Sequence, residues 1–86
     1  MRIDVTQDDI EAGSRLCSSL CPVALAIRRA VDRRDVPVWR TRVFVAGDPH
    51  NLPRKAINFI GRFDWERPVK PFSFELNIRI PEGSEG

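Results

Sequence analysis

At 86 residues, with 42% hydrophobic and 30% charged side chains, the chain has the composition of a soluble globular protein and the length of one domain, not two. Its longest apolar run, residues 21–27, is far too short to cross a bilayer. The opening Met-Arg-Ile-Asp-Val-Thr has no apolar segment of the signal-peptide kind, so a cytoplasmic location is expected. The net charge of +2 hides an uneven distribution. Residues 1–35 carry six basic and six acidic side chains. Residues 36–62 carry Arg40, Arg42, Arg54, Lys55 and Arg62 against Asp48 alone, a local +4, and the remainder is net −2. The middle of the chain is therefore expected to attract anions, although an ordinary solvated strand face accounts for the same charges.

In chain order, residues 2–5 alternate around Ile3 and Val5 and predict a short strand. Thr6 and Asp9 have the spacing of a capping box, and Asp8, Asp9 and Glu11 place negative charge on the first turn of a short helix. Gly13 is expected to end that helix in a left-handed conformation. A polar loop leads to Pro22, which suits the first position of a helix running to about residue 34. Val23, Ile27, Ala30 and Val31 form its apolar stripe, widened by Leu25 and Ala26. Arg28, Arg29, Arg33 and Arg34 crowd its C-terminal half, where the helix dipole favours cations.

Residues 38–46 read as one strand, with Trp39, Thr41, Val43 and Val45 on the core side and Val38, Arg40, Arg42 and Phe44 on the other. Gly47, Asp48 and Pro49 predict a turn, after which residues 50–52 pair back. A second helix is expected over residues 53–64, burying Ala56, Ile57, Ile60 and Phe63 with Phe59 beside them. Residues 72–80, Phe-Ser-Phe-Glu-Leu-Asn-Ile-Arg-Ile, alternate without a break over nine positions. They predict the strand around which the domain is built. The tail at 81–86 is expected to be flexible. These elements predict an α+β domain over residues 1–80, a small and largely antiparallel sheet with two main helices and a short N-terminal one on one face. Open sheet edges and a small core predict a homo-oligomer.

Catalytic chemistry is thinly represented. His50 is the only histidine, and no nucleophile elbow, phosphate-binding glycine loop or metalloprotease pair is present, so no enzyme is expected. Cys17, Cys21 and His50 supply at most three metal ligands and lack the paired spacing of a zinc site; neither a metal nor a cofactor is expected. Cys21 is expected to pack near a helix start. Anion binding has more candidates. Arg40 and Arg42 lie two apart, on one face of a regular strand, with Trp39 adjacent, and guanidinium groups grip phosphate with two prongs. Arg54 and Lys55 oppose the dipole at a helix start, which a bound anion would explain. Ser18 precedes the other helix start, and Arg28 belongs to the arginine block behind it. Arg40, Arg42, Trp39, Arg54, Lys55, Ser18 and Arg28 are the candidate ligand-binding residues.

Two stretches carry a resemblance. Residues 3–13, Ile-Asp-Val-Thr-Gln-Asp-Asp-Ile-Glu-Ala-Gly, followed by Cys-Pro-Val-Ala-Leu-Ala at 21–26, resemble the opening of a family of small tailed-bacteriophage proteins. Leu-Pro-Arg-Lys-Ala-Ile-Asn-Phe-Ile-Gly-Arg-Phe-Asp at 52–64 and Pro-Val-Lys-Pro-Phe-Ser-Phe at 68–74 resemble its second half. Most of that family is uncharacterised. Small phage proteins of this kind include nucleotide sponges, which sequester the cyclic nucleotide signals of bacterial anti-phage defence. The resemblance implies a phage accessory protein and assigns no ligand-binding residue; together with the +4 middle segment, the arginine pair and the two helix starts it leads to the expectation of a non-enzymatic, homo-oligomeric protein in the host cytoplasm that sequesters a cyclic nucleotide. The alternative is a phage regulator that uses the same basic surface on nucleic acid or a host factor.

Overall fold

The structure, a computed structural model, describes residues 1–15, 17, 19–39 and 41–77. Among these the order is β1 (Arg2–Val5), α1 (Gln7–Ala12), α2 (Pro22–Val31), β2 (Val38–Trp39), β3 (Arg42–Val45), β4 (Asp48–Asn51), α3 (Arg54–Asp64) and β5 (Phe72–Glu75). The fold is α+β, with three helices among the described residues and antiparallel strands divided between two small sheets, β1-β5 and β2-β3-β4.

The alternation in β1 and β5 works as expected. Ile3 lies opposite Phe74 and Val5 opposite Phe72, while Arg2 faces Glu75 and Asp4 faces Ser73 on the other side. Ile3, Val5, Phe74 and Leu76 are buried in one cluster with Val23, Ala24, Ala26 and Ile27 of α2. On the outer face Asp4 accepts hydrogen bonds from Ser73 and from Arg2, and these hold its carboxyl below the ordinary range. The strand is shorter than its alternation suggested. It ends at Glu75, and the expected continuation through Ile78 and Ile80, like the expected tail, lies outside the described residues.

The chain at 38–46 is not one strand. β2 and β3 pair antiparallel, Val38 with Val43 and Trp39 with Arg42, so the chain reverses between Trp39 and Arg42. The reversal changes the facing of every residue before it. Val38 and Val43, five apart, become partners on one face, and Val38, Val43 and Val45 are all buried. Trp39, assigned to the core side from its spacing, is 58% exposed. The second turn also falls earlier than predicted. Ala46 and Gly47 both have positive φ, 54° and 84°, the type I′ pattern that matches strand twist. Asp48 and Pro49 belong to β4. Pro49 is tolerated there because β4 is an edge strand and its partner Phe44 directs its amide to the Pro37 carbonyl instead.

Helix ends follow local chemistry. At α1 the Thr6 hydroxyl accepts from the Asp9 amide at 3.2 Å and the Asp9 carboxylate accepts from the Thr6 amide at 2.9 Å. At α2 the buried Cys21 is the N-cap, its Sγ accepting from the Ala24 amide at 3.4 Å. Burial pushes the Cys21 thiol up, against the pull of the Ala24 and Val23 amides, so it stays protonated and unreactive at neutral pH. Both longer helices close with a bond between amide and carbonyl five residues apart, Arg33 to Arg28 and Arg67 to Arg62. In each, a non-glycine residue is left-handed, Asp32 and Glu66. α2 therefore stops at Val31, short of the expected residue 34.

Gly13 is not left-handed, as was expected, but extended, with φ −72° and ψ 153°. Its role is close approach. A Cβ at this position would lie 2.6 Å from Pro22 Cδ and 2.9 Å from the Asp9 carbonyl oxygen. Gly13→Ala should therefore force α1 from α2 and destabilise by about 1–2 kcal/mol, the usual scale of overpacking. A urea midpoint equal to wild type would show that the contact relaxes freely.

Candidate functional site

α3 supplies the site because only part of it is buried. Ala56 and Phe59 face the core, while Ile57, Ile60 and Phe63, expected to be buried with them, are covered only in part. Phe59 stacks on Phe72 of β5 with ring centroids 4.8 Å apart, and Phe72 stacks on Phe74 at 5.5 Å. The connector 67–71 runs back along this edge. Between it and α3 lies a groove of about 480 Å³, lined by Lys55, Asn58, Phe59, Arg62, Val69, Lys70 and Phe72 together with Pro68 and Pro71. Its floor is aromatic and aliphatic, and its rim carries three cations, Lys55, Arg62 and Lys70. The Lys55 ammonium is held over the groove by a 3.1 Å bond to the Ser73 carbonyl oxygen. Arg62 and Lys70 form no ion pair with any described residue. From 54 to 70 the chain carries five basic side chains against Asp64 and Glu66, and Glu66 is engaged by Arg15 at 2.9 Å.

A second cleft, shallow and open to solvent, lies on the other side of the same helix, between Ile57, Asn58, Gly61, Arg62, Trp65 and Arg67. Asn58 and Arg62 stand one helical turn apart and border both spaces. Trp65 is 80% exposed.

The residues expected from sequence to bind ligand are dispersed. Lys55 lines the α3 groove. Arg28 lines a different cleft of about 450 Å³, with Arg29, Arg33 and Arg34 at the C-terminal end of α2. The helix dipole and the 2.8 Å contact of Arg29 with Asp9 account for much of that clustering. Arg42 and Trp39 are exposed cross-strand partners in the β2–β3 hairpin. The premise for pairing Arg42 with Arg40, a regular strand, is removed by the reversal. Arg54 is exposed in the first turn of α3. Trp39, Arg42 and Arg54 line none of these three spaces. Arg40 and Ser18 lie outside the described residues. Arg62, Lys70, Phe59, Phe72 and Trp65 were not among the sequence candidates. Arg62 had a signal in the basic middle segment and in the polar face Lys55-Asn58-Arg62 at helical spacing; Phe59 and Phe72 read only as core and strand residues.

Among the described residues no group of three or more His, Cys, Asp or Glu side chains is gathered to hold a metal ion, and no helix is long and apolar enough to cross a membrane. The fold and its clefts define a small α+β domain with a basic, aromatic-floored groove. Comparison of the chain with protein-family models, curated proteins and solved structures finds no match.

Proposed function

We propose that this protein is a non-enzymatic binder of a small nucleotide, sequestering a cyclic nucleotide signal in the manner of the phage proteins its sequence resembles. The observation that carries the reading is the α3 groove, where Lys55, Arg62 and Lys70 surround a floor built on Phe59 and Phe72. A nucleotide joins the two chemistries such a groove accepts, a flat apolar base and an anionic phosphate. Its volume falls within the range of small-molecule sites. Arg62 supplies the planar fork suited to phosphate, and the two lysines add mobile point charges. Sequestration requires nothing further than binding, and self-association would add area to a core this small.

The test is calorimetric titration with cyclic di- and trinucleotides. Saturable binding is expected, with the ligand recovered unchanged after denaturation. Arg62→Ala should weaken it by about 1.5–3 kcal/mol, the range for hydrogen bonds to charged groups, with the melting temperature preserved. Absence of binding, or binding indifferent to Arg62→Ala, would remove the groove from consideration. A second reading, a regulator acting on nucleic acid, is favoured by the five basic residues along 54–70. It predicts affinity for long DNA or RNA that falls steeply with salt, because many phosphates release many counterions.

A further inference from the structure

We infer that the ligand of this groove carries two aromatic bases flanking a phosphate, one base in the groove beside Val69 and the edge of Phe72 and the other against Trp65, with Arg62 on the phosphate between them. The inference rests on the reading of the groove as a nucleotide site and extends it across α3.

Asn58 and Arg62 form a ridge with space on both sides. Lys55 and Phe59 flank it on one side, Ile57, Gly61 and Trp65 on the other. A guanidinium on such a ridge reaches into either cleft, so one phosphate group serves both.

Two features of the second cleft are not called for by packing among the described residues. The first is Trp65. Its backbone takes part in closing α3, and Glu66 and Arg67 complete the termination through their own amides. The indole contributes nothing to that closure and stands 80% exposed. The second is Gly61, in the interior of α3. Glycine is the poorest helix residue apart from proline, and it is excused where a neighbour needs the room. Here a Cβ would meet nothing within 4 Å, so packing does not demand it. What the missing side chain provides is a bare stretch of helix beside Trp65, where a flat ring can lie between backbone and indole. Arg67 closes the far side and adds a second cation. Base stacking on an exposed aromatic beside arginine is a recurrent mode of nucleotide recognition.

The shared chemistry is a dinucleotide step, which a free linear or cyclic dinucleotide and a single-stranded nucleic acid both contain. The experiment uses the full chain carrying Trp39→Phe, which leaves Trp65 as the sole fluorophore, since the chain has two tryptophans. The probes are adenosine monophosphate, linear and cyclic diadenylates, and a long oligoadenylate. Both diadenylates should quench Trp65 and bind at least tenfold more tightly than the monophosphate. Trp65→Ala should bring diadenylate affinity down to the level of the monophosphate. Gly61→Ala should raise the melting temperature while lowering diadenylate affinity, a combination that a purely structural glycine would not produce. Tighter binding by the long oligomer, with a steep salt dependence, would assign the step to single-stranded nucleic acid; a flat salt dependence and preference for the free diadenylates would assign it to a small ligand. Equal affinity for mono- and dinucleotides with unmoved Trp65 emission would overturn the inference and leave the single groove standing. Failure of every probe to bind would overturn both.

Discussion

Leu76→Asp is expected to unfold the domain. Leu76 is 1% exposed and belongs to the same cluster as Ile3, Val23, Ile27 and Phe74. Its backbone cannot turn away to release the new side chain. The Leu76 amide donates to the Met1 carbonyl at 2.8 Å, and the Met1 ammonium donates to the Leu76 carbonyl at 3.1 Å. The carboxylate would enter the apolar cluster of Ile3, Val23, Ile27 and Phe74, and the Met1 ammonium nearby is already engaged by the Leu76 carbonyl and by Glu75. Burial of an unpaired charge is severe enough that the group protonates or the structure opens, at several kcal/mol either way. A chain of this size is stable by about 5–10 kcal/mol in total. Glu75→Ala, one residue earlier on the exposed side of β5, should shift stability by less than about 0.5 kcal/mol. Thermal melts followed by circular dichroism separate the two. A Leu76→Asp variant that melted with the wild type would mean that Leu76, just past β5, is not part of the core.

This contrast shows which parts of the fold could be read from sequence. β1, β5, the capping box at Thr6 and the Cys21 helix start depend on residues a few positions apart, and their patterns are local. The reversal between Trp39 and Arg42 carries no glycine, proline or asparagine to mark it. An alternating run continued through it in sequence while the chain folded back in space, so Trp39 was placed on the wrong side. Gly13 is required by a close approach and not by the left-handed cap its position suggests. The contact that requires it comes from Pro22, nine residues later, and no local rule describes it. The α3 groove was hidden for a related cause. Its floor joins Phe59 to Phe72, and its rim joins Arg62 to Lys70, pairs that only the packing of the connector against α3 brings together. Of the groove's residues Lys55 carries a local signal of its own, a cation at a helix start where the dipole disfavours it.

Arg29→Ala is the second large effect expected, and its size should depend on pH. The Asp9 carboxylate is 5% exposed as a residue. It receives the Arg29 guanidinium in two-pronged fashion, at 2.8 and 2.9 Å, besides the Thr6 amide. The same guanidinium donates to the Asp4 carbonyl at 2.8 Å, so one side chain ties α2 to α1 and β1. Truncation leaves a buried carboxylate with only its Thr6 contacts. Breaking a fully buried pair costs about 3–5 kcal/mol. Arg29 is half exposed, and water can partly replace it, so about 2–3 kcal/mol is expected near neutral pH. Burial alone would raise the Asp9 pKa, but the hydrogen bonds from Arg29 and Thr6 outweigh it and hold the group below its ordinary 3.8. A carboxyl depressed on folding contributes stability that is present above its unfolded pKa and lost as pH falls through the folded one. In Arg29→Ala the depressing partner is gone while burial remains, so acid should penalise the variant less than the wild type. Urea denaturation at about pH 7 and about pH 3 should show the gap between the two proteins narrowing on acidification, with Arg29→Lys intermediate because an ammonium cannot make both contacts. A gap that stayed constant across that range would mean that Arg29 stabilises through packing of its aliphatic stem and not through the Asp9 charge.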